Sequence, residues 1–107
     1  MRKIIYVCSP LRGDISGNIE RVKGYCKAIV GAGHIPYAPH LALDGVLDDN
    51  MPDEREKALS ICIEMVKRCN EVWVFGDKLT EGMKKELEAA YKYDKFVKFE
   101  EDLTQCR

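Results

Sequence analysis

The chain has 107 residues, the length of one domain, and residues 1–107 are read as a single unit. Hydrophobic residues make up 46% and charged residues 33%, a balance that supports a packed core and argues against disorder. Lys plus Arg is 17 and Asp plus Glu is 18, for a net charge of -1, so a basic nucleic-acid binder is disfavoured. No apolar run approaches the ~18 residues of a membrane span, and the start MRKIIYVCSP holds too short an apolar stretch for a secretion signal. The expectation is a cytoplasmic protein with neither nucleic acid polymer nor membrane as partner.

Lys3 to Cys8 (KIIYVC) is apolar, β-branched and aromatic, and Ser9-Pro10 stops it. It predicts a central strand buried on both faces. Ser16 to Gly33 predicts a helix with Ile19, Val22, Cys26 and Ile29 inward, widened by Tyr25, Val30 and Ala32. Ser16 or Asp14 can cap its start and Gly33 can end it, while Gly24 suggests a close packing contact. Ile35 to Ala38 predicts a short second strand, placed at an edge by Pro36. Pro39 to Pro52 is read as a long loop, of a length that often carries function.

Asp53 to Cys69 predicts a second long helix with Ala58, Ile61 or Cys62, Met65 and Cys69 inward. Its acidic start and basic end suit the helix dipole. Glu71 to Phe75 (EVWVF) predicts a third strand, closed by Gly76. Thr80 to Tyr93 predicts a third helix with Met83, Leu87, Ala90 and Tyr91 inward, and Lys95 to Phe99 a last, edge-like strand. This alternation implies a parallel sheet covered on both faces. The expected fold is α/β: a small doubly wound, flavodoxin- or Rossmann-like three-layer sandwich with a four- to five-stranded sheet, ordered 2-1-3-4.

Of the five cysteines, Cys26, Cys62 and Cys69 fall on apolar helix positions and are read as small buried hydrophobes. Cys8 ends a strand. No Cys-x-x-Cys or zinc-ligand spacing with His occurs, so neither metal nor cofactor is expected.

Ligands of open parallel sheets bind beyond the carboxyl ends of the strands. That rule selects Ser9 to Asp14, Pro39-His40, and Gly76 to Gly82. Within them Arg12 can fork a phosphate or carboxylate, or be a solvated loop charge. Gly13 suits a turn. His40 can be a general acid or a donor to a ligand, or serve the fold alone. Asp44, Asp48 and Asp49 match no metal-loop spacing and read as a solvated acidic loop. Gly82, near the start of the third helix, allows a ligand to approach free N–H groups that favour anions. Glu86 lies four residues on, beside the apolar stripe, as a partly desolvated nucleophile or base or as an exposed partner of Lys85.

IYVCSPLRGD (Ile5 to Asp14) resembles the opening of nucleoside 2-deoxyribosyltransferases, where a strand carrying a Tyr runs into a small-residue-Pro turn. NEVWVFGDKLTEGMKKELEAAYKYDKFV (Asn70 to Val97) resembles their closing region, a strand followed by a Gly-x-x-x-Glu helix start. The likeness is closer still to small relatives with a Ser/Thr-x-Gly-Met-x-x-Glu helix. The resemblance implies Glu86 as nucleophile and Tyr6 as the residue orienting it. It implies transfer or hydrolysis at an N-glycosidic bond through a covalent sugar ester. Ser9, Pro10, Arg12, Gly13, His40, Gly76, Thr80, Gly82 and Met83 are the expected ligand-binding positions, for a nucleoside or nucleotide. A homodimer or higher homo-oligomer is implied as well, with Leu41, Val46, Leu47 and Met51 as apolar contacts. The chain departs from those transferases in placing Thr80 where they carry Asp. Where they carry an acid ahead of the third strand that protonates the leaving base, it offers Cys62 and Glu64, of which only Glu64 can serve. A non-catalytic nucleotide binder, a sensor or sponge with a vestigial transferase site, is the alternative.

Overall fold

The computed structural model of the chain describes residues 2–10, 15–48, 50–76 and 78–100. Its elements in order are β1 (Ile4–Cys8), α1 (Ile15–Gly31), β2 (Ile35–Tyr37), α2 (Pro39–Ala42), α3 (Pro52–Arg68), β3 (Glu71–Val74), α4 (Glu81–Lys92) and β4 (Phe96–Phe99). The four strands form one sheet in the order β2-β1-β3-β4. Every pairing is parallel, with Tyr6 opposite Tyr37 on one side and Val72 on the other. Both the doubly wound order and the central place of the first strand match the sequence expectation.

Alternation along β1 divides the core into two. Ile5 and Val7 face α1, where Val22, Tyr25 and Ile29 cover them together with Phe75. Tyr6 and Cys8 face the opposite way, into a cluster with Cys62, Val66, Val72, Val74, Met83, Leu87 and Ala90. Helices on both faces leave no residue of β1 after Ile4 exposed to water. Full burial of each large apolar side chain contributes about 1.5–3 kcal/mol. Tyr25 and Phe75 also stack, with centroids 4.2 Å apart and planes 11° from parallel.

Local chemistry sets the element ends. Gly33 takes φ +90 after α1, and the His34 N–H donates back to the Ile29 carbonyl. Pro36 sits on the edge strand, where its missing N–H leaves no central ladder broken. Asn70 zips the amino end of the sheet: its N–H donates to the Ile4 carbonyl and its Oδ1 accepts from the Ile4 N–H. Pro52 opens α3, Asp53 and Glu54 fill its first turn, and Lys67 and Arg68 its last. Thr80 caps α4, its side chain accepting from the Met83 N–H at 3.2 Å.

Several expectations are corrected. The segment read as a loop from Pro39 to Pro52 starts with a one-turn helix, because Pro39 at its first position presets the backbone. Val30 and Ala32 are exposed rather than inward, since the stripe on α1 centres on Val22, Tyr25 and Ile29. On α3 the inward residues are Cys62 and Val66; Ile61 is exposed and Met65 half-buried. Tyr91 is exposed, and Glu86 and Ala89 turn inward with Met83, Leu87 and Ala90. Cys26 is half-buried, unlike Cys62 and Cys69. Gly24 has no neighbour within 4 Å of where a Cβ would stand, so it marks no packing contact. Asp14, with its proposed capping role, lies outside the described residues.

Candidate active site

The carboxyl ends of β1 and β2 and the start of α4 enclose a cleft of about 740 Å³. Ser9, His40, Thr80, Gly82, Met83 and Glu86 contribute to its lining, as do Leu43, Cys62, Arg55 and Lys85. The cleft stands beside the position where the chain order reverses, between β1 and β3, as the topology requires.

Glu86 is the buried carboxylate of the cleft, only 6% exposed, which removes its reading as a surface partner of Lys85. The periodicity of α4 explains this: Met83, Leu87 and Ala90 anchor the inner face, and Glu86 lies within that arc. Two residues of β1 then reach it. The Tyr6 hydroxyl donates to Oε2 at 2.5 Å, and the Cys8 thiol donates to Oε1 at 3.4 Å. Tyr6 and Cys8 are two apart on a strand, so they point to the same face. Burial pushes the Glu86 carboxyl above the ordinary carboxylate range; hydrogen bonds from Tyr6 and Cys8, the charge of His40 and the Cys62 thiol partly offset it. Burial, and then the charge of Glu86, push the Tyr6 phenol well up, so it stays a donor. The same two causes raise the Cys8 thiol, which makes it a hydrogen-bonding group and not a nucleophile.

His40 stands at the start of α2, half-buried, with Nε2 donating to the Ser9 carbonyl at 2.6 Å. The Ser9 hydroxyl is buried and, among the described residues, has no hydrogen-bond partner. Such a group is ready for a polar atom of a ligand. Pro10 and Gly76 are not part of the described lining. Gly76 takes φ +94, and a Cβ there would stand 3.1 Å from Pro10 Cδ, so the two turns pack closely side by side. Arg12 and Gly13 lie outside the described residues. Glu64 is the clear disagreement: it lies exposed on α3, paired with Arg68 at 2.8 Å, and is not part of the cleft. Two positions before it, Cys62 takes the inward place. The sequence reading also passed over Cys8 as a partner of Glu86, although its shared parity with Tyr6 carried that signal. Nothing in one sequence marked Arg55 or Lys85 as lining residues.

Among the described residues no group of three or more His, Cys, Asp and Glu is placed to hold a metal ion. No helix among them is long and apolar enough to cross a membrane. A family model described as Domain of unknown function (DUF7768) matches residues 3–100. No protein with a curated description matches the chain. Among solved structures, a 2-deoxyribosyltransferase from the psychrotolerant bacterium Bacillus psychrosaccharolyticus aligns with a TM-score of 0.73 at 20% identity, over 92% of this chain and 72% of that one. At that identity the likeness establishes a shared fold.

Proposed function

Because the chain belongs to the DUF7768 family, we propose its function from the chemistry of the Glu86 site: cleavage or transfer at the N-glycosidic bond of a nucleoside or nucleotide. One observation carries this reading. A carboxylate almost wholly removed from water lines an open cleft and is held by the phenol of Tyr6. Burying a carboxylate is costly unless it is paired, and here its hydrogen bonds come from the neutral donors Tyr6 and Cys8, with the charge of His40 as a further partial offset. Desolvation makes the ionised form a stronger nucleophile, and the Tyr6 hydroxyl fixes the oxygen that does not attack. In the proposed reaction Glu86 attacks C1′ of the sugar and the bond from C1′ to the base nitrogen breaks. Water or a second base then displaces Glu86, in the manner of a retaining glycosidase. The fold shared with a 2-deoxyribosyltransferase supports deoxyribosyl transfer as the reaction class.

Arg55 and Lys85 on the cleft wall, with the first-turn N–H groups of α4, favour a phosphorylated ligand. Gly82 leaves open space at that turn. Arg12 is proposed to add a fork to the same phosphate. A second reading, a binder that holds a nucleotide without turning it over, draws on Glu64. With that residue paired on the outer face of α3, the expected acid for the leaving base is not in the cleft. The test is thermal unfolding with nucleosides, deoxynucleosides and their phosphates, followed by mass spectrometry of each mixture. A ligand at about 100 times its dissociation constant adds roughly 2.7 kcal/mol of stability. Recovery of free base and sugar is the expected result; ligand recovered intact selects the binder.

A further inference from the structure

We infer that His40 is a further catalytic residue of this cleft, the acid that hands a proton to the departing base. The inference rests on the reading of Glu86 as nucleophile. A peptide carbonyl oxygen only accepts, so the contact from Nε2 to the Ser9 carbonyl requires the hydrogen on Nε2. That bond fixes both the ring orientation and the tautomer, and leaves Nδ1 as the atom that takes up or releases a proton. His40 shares the cleft lining with Glu86 and is close enough for its charge to act on that carboxyl.

The other ionisable groups of the described lining are placed differently. Asp44, Asp48 and Glu81 are exposed, and Asp48 accepts from the Asn50 N–H. Arg55 and Lys85 are exposed cations, and Cys62 acts on the Glu86 carboxyl. His40 alone among them combines partial burial, a fixed ring and an atom that exchanges protons readily.

The proton count closes. In the first step the Glu86 oxygen bonds to C1′, and the electron pair of the C1′–N bond leaves with the base. The base nitrogen takes the proton from Nδ1, leaving the imidazole neutral. In the second step water attacks C1′, its proton passes to Nδ1, and Glu86 departs as carboxylate. His40 is then protonated as it began.

The test compares two substrates on the unaltered chain and on His40→Gln. One is a purine 2′-deoxynucleotide, whose base must be protonated to leave. The other is the 2′-deoxynucleotide of nicotinamide, whose pyridinium departs neutral with no proton. In a single turnover His40→Gln is expected to slow release of the purine about 100-fold or more and to leave release of nicotinamide within about twofold, because base release precedes the step in which Nδ1 takes the proton of water. Equal slowing of base release from both substrates, or of neither, overturns the assignment. So does an unaltered chain that cleaves the pyridinium substrate alone, a result that leaves the Glu86 reading standing. No cleavage of either substrate by the unaltered chain removes both. If His40→Gln does not fold, the same comparison is read on His40→Asn.

Discussion

Glu86 is the residue on which burial and the proposed function pull in opposite directions. Its carboxyl is raised by burial above the usual carboxylate range, and an unfolded Glu titrates near about 4.3. The folded chain therefore holds the proton to higher pH than the unfolded chain. The stability this contributes is full below the unfolded pKa and is lost as pH rises through the folded one. Replacement by Gln keeps the shape and removes the charge. The thermal midpoint of Glu86→Gln is thus expected to gain on the parent as pH rises from about 4 toward neutral, a sign that the parent carries a destabilised functional carboxylate. A midpoint difference independent of pH contradicts that account. Tyr6 and Glu86 were legible as a pair only through the family resemblance. The depth of Glu86 was not legible, because an acidic residue beside Lys85 on a charged helix has the pattern of a surface pair. Its burial follows from the tight arc of Met83, Leu87 and Ala90 and from the donors that β1 raises beneath it.

Two turns flank the cleft, and their glycines serve different ends. Gly76 has φ +94 and abuts Pro10, so its requirement comes from the backbone. Gly76→Ala is expected to destabilise the fold by about 1–2 kcal/mol, read as a fall of several degrees in the thermal midpoint. Gly82 lies in the first turn of α4 with open space where a Cβ would stand. Gly82→Ala is expected to stabilise the free protein by roughly 0.4–1 kcal/mol and to weaken ligand binding. Loss of stability in Gly82→Ala, or unchanged affinity, contradicts its assignment as a position of close approach. At the same scale, the long elements were legible because their apolar repeats ran for several turns or a whole strand. The one-turn α2 was not, since four residues carry no period. Val66 was overlooked on α3 for a related reason. Met65 and Val66 are adjacent apolar residues, and only the packing against β3 and α4 decides which one enters the core.

Across the whole molecule, alternation of strands and helices predicted the sheet order, and the order predicted where the cleft opens. Physical rules of topology made that step independent of any relative. The identity of the acid for the leaving base was not predictable in this way. Glu64 follows Cys62 by two residues, about 200° around the helix, so a helix that buries Cys62 and Val66 turns Glu64 to the outside. The central claim is that Glu86 forms a covalent bond to the sugar. It is tested most directly by rapid quenching of the protein with a 2′-deoxynucleotide and mass spectrometry of its peptides. The account predicts one sugar-derived adduct on the peptide containing Glu86, formed before free sugar accumulates and absent from Glu86→Gln, which no longer turns over. Turnover that persists in Glu86→Gln, or release of base with no adduct at any time, contradicts it.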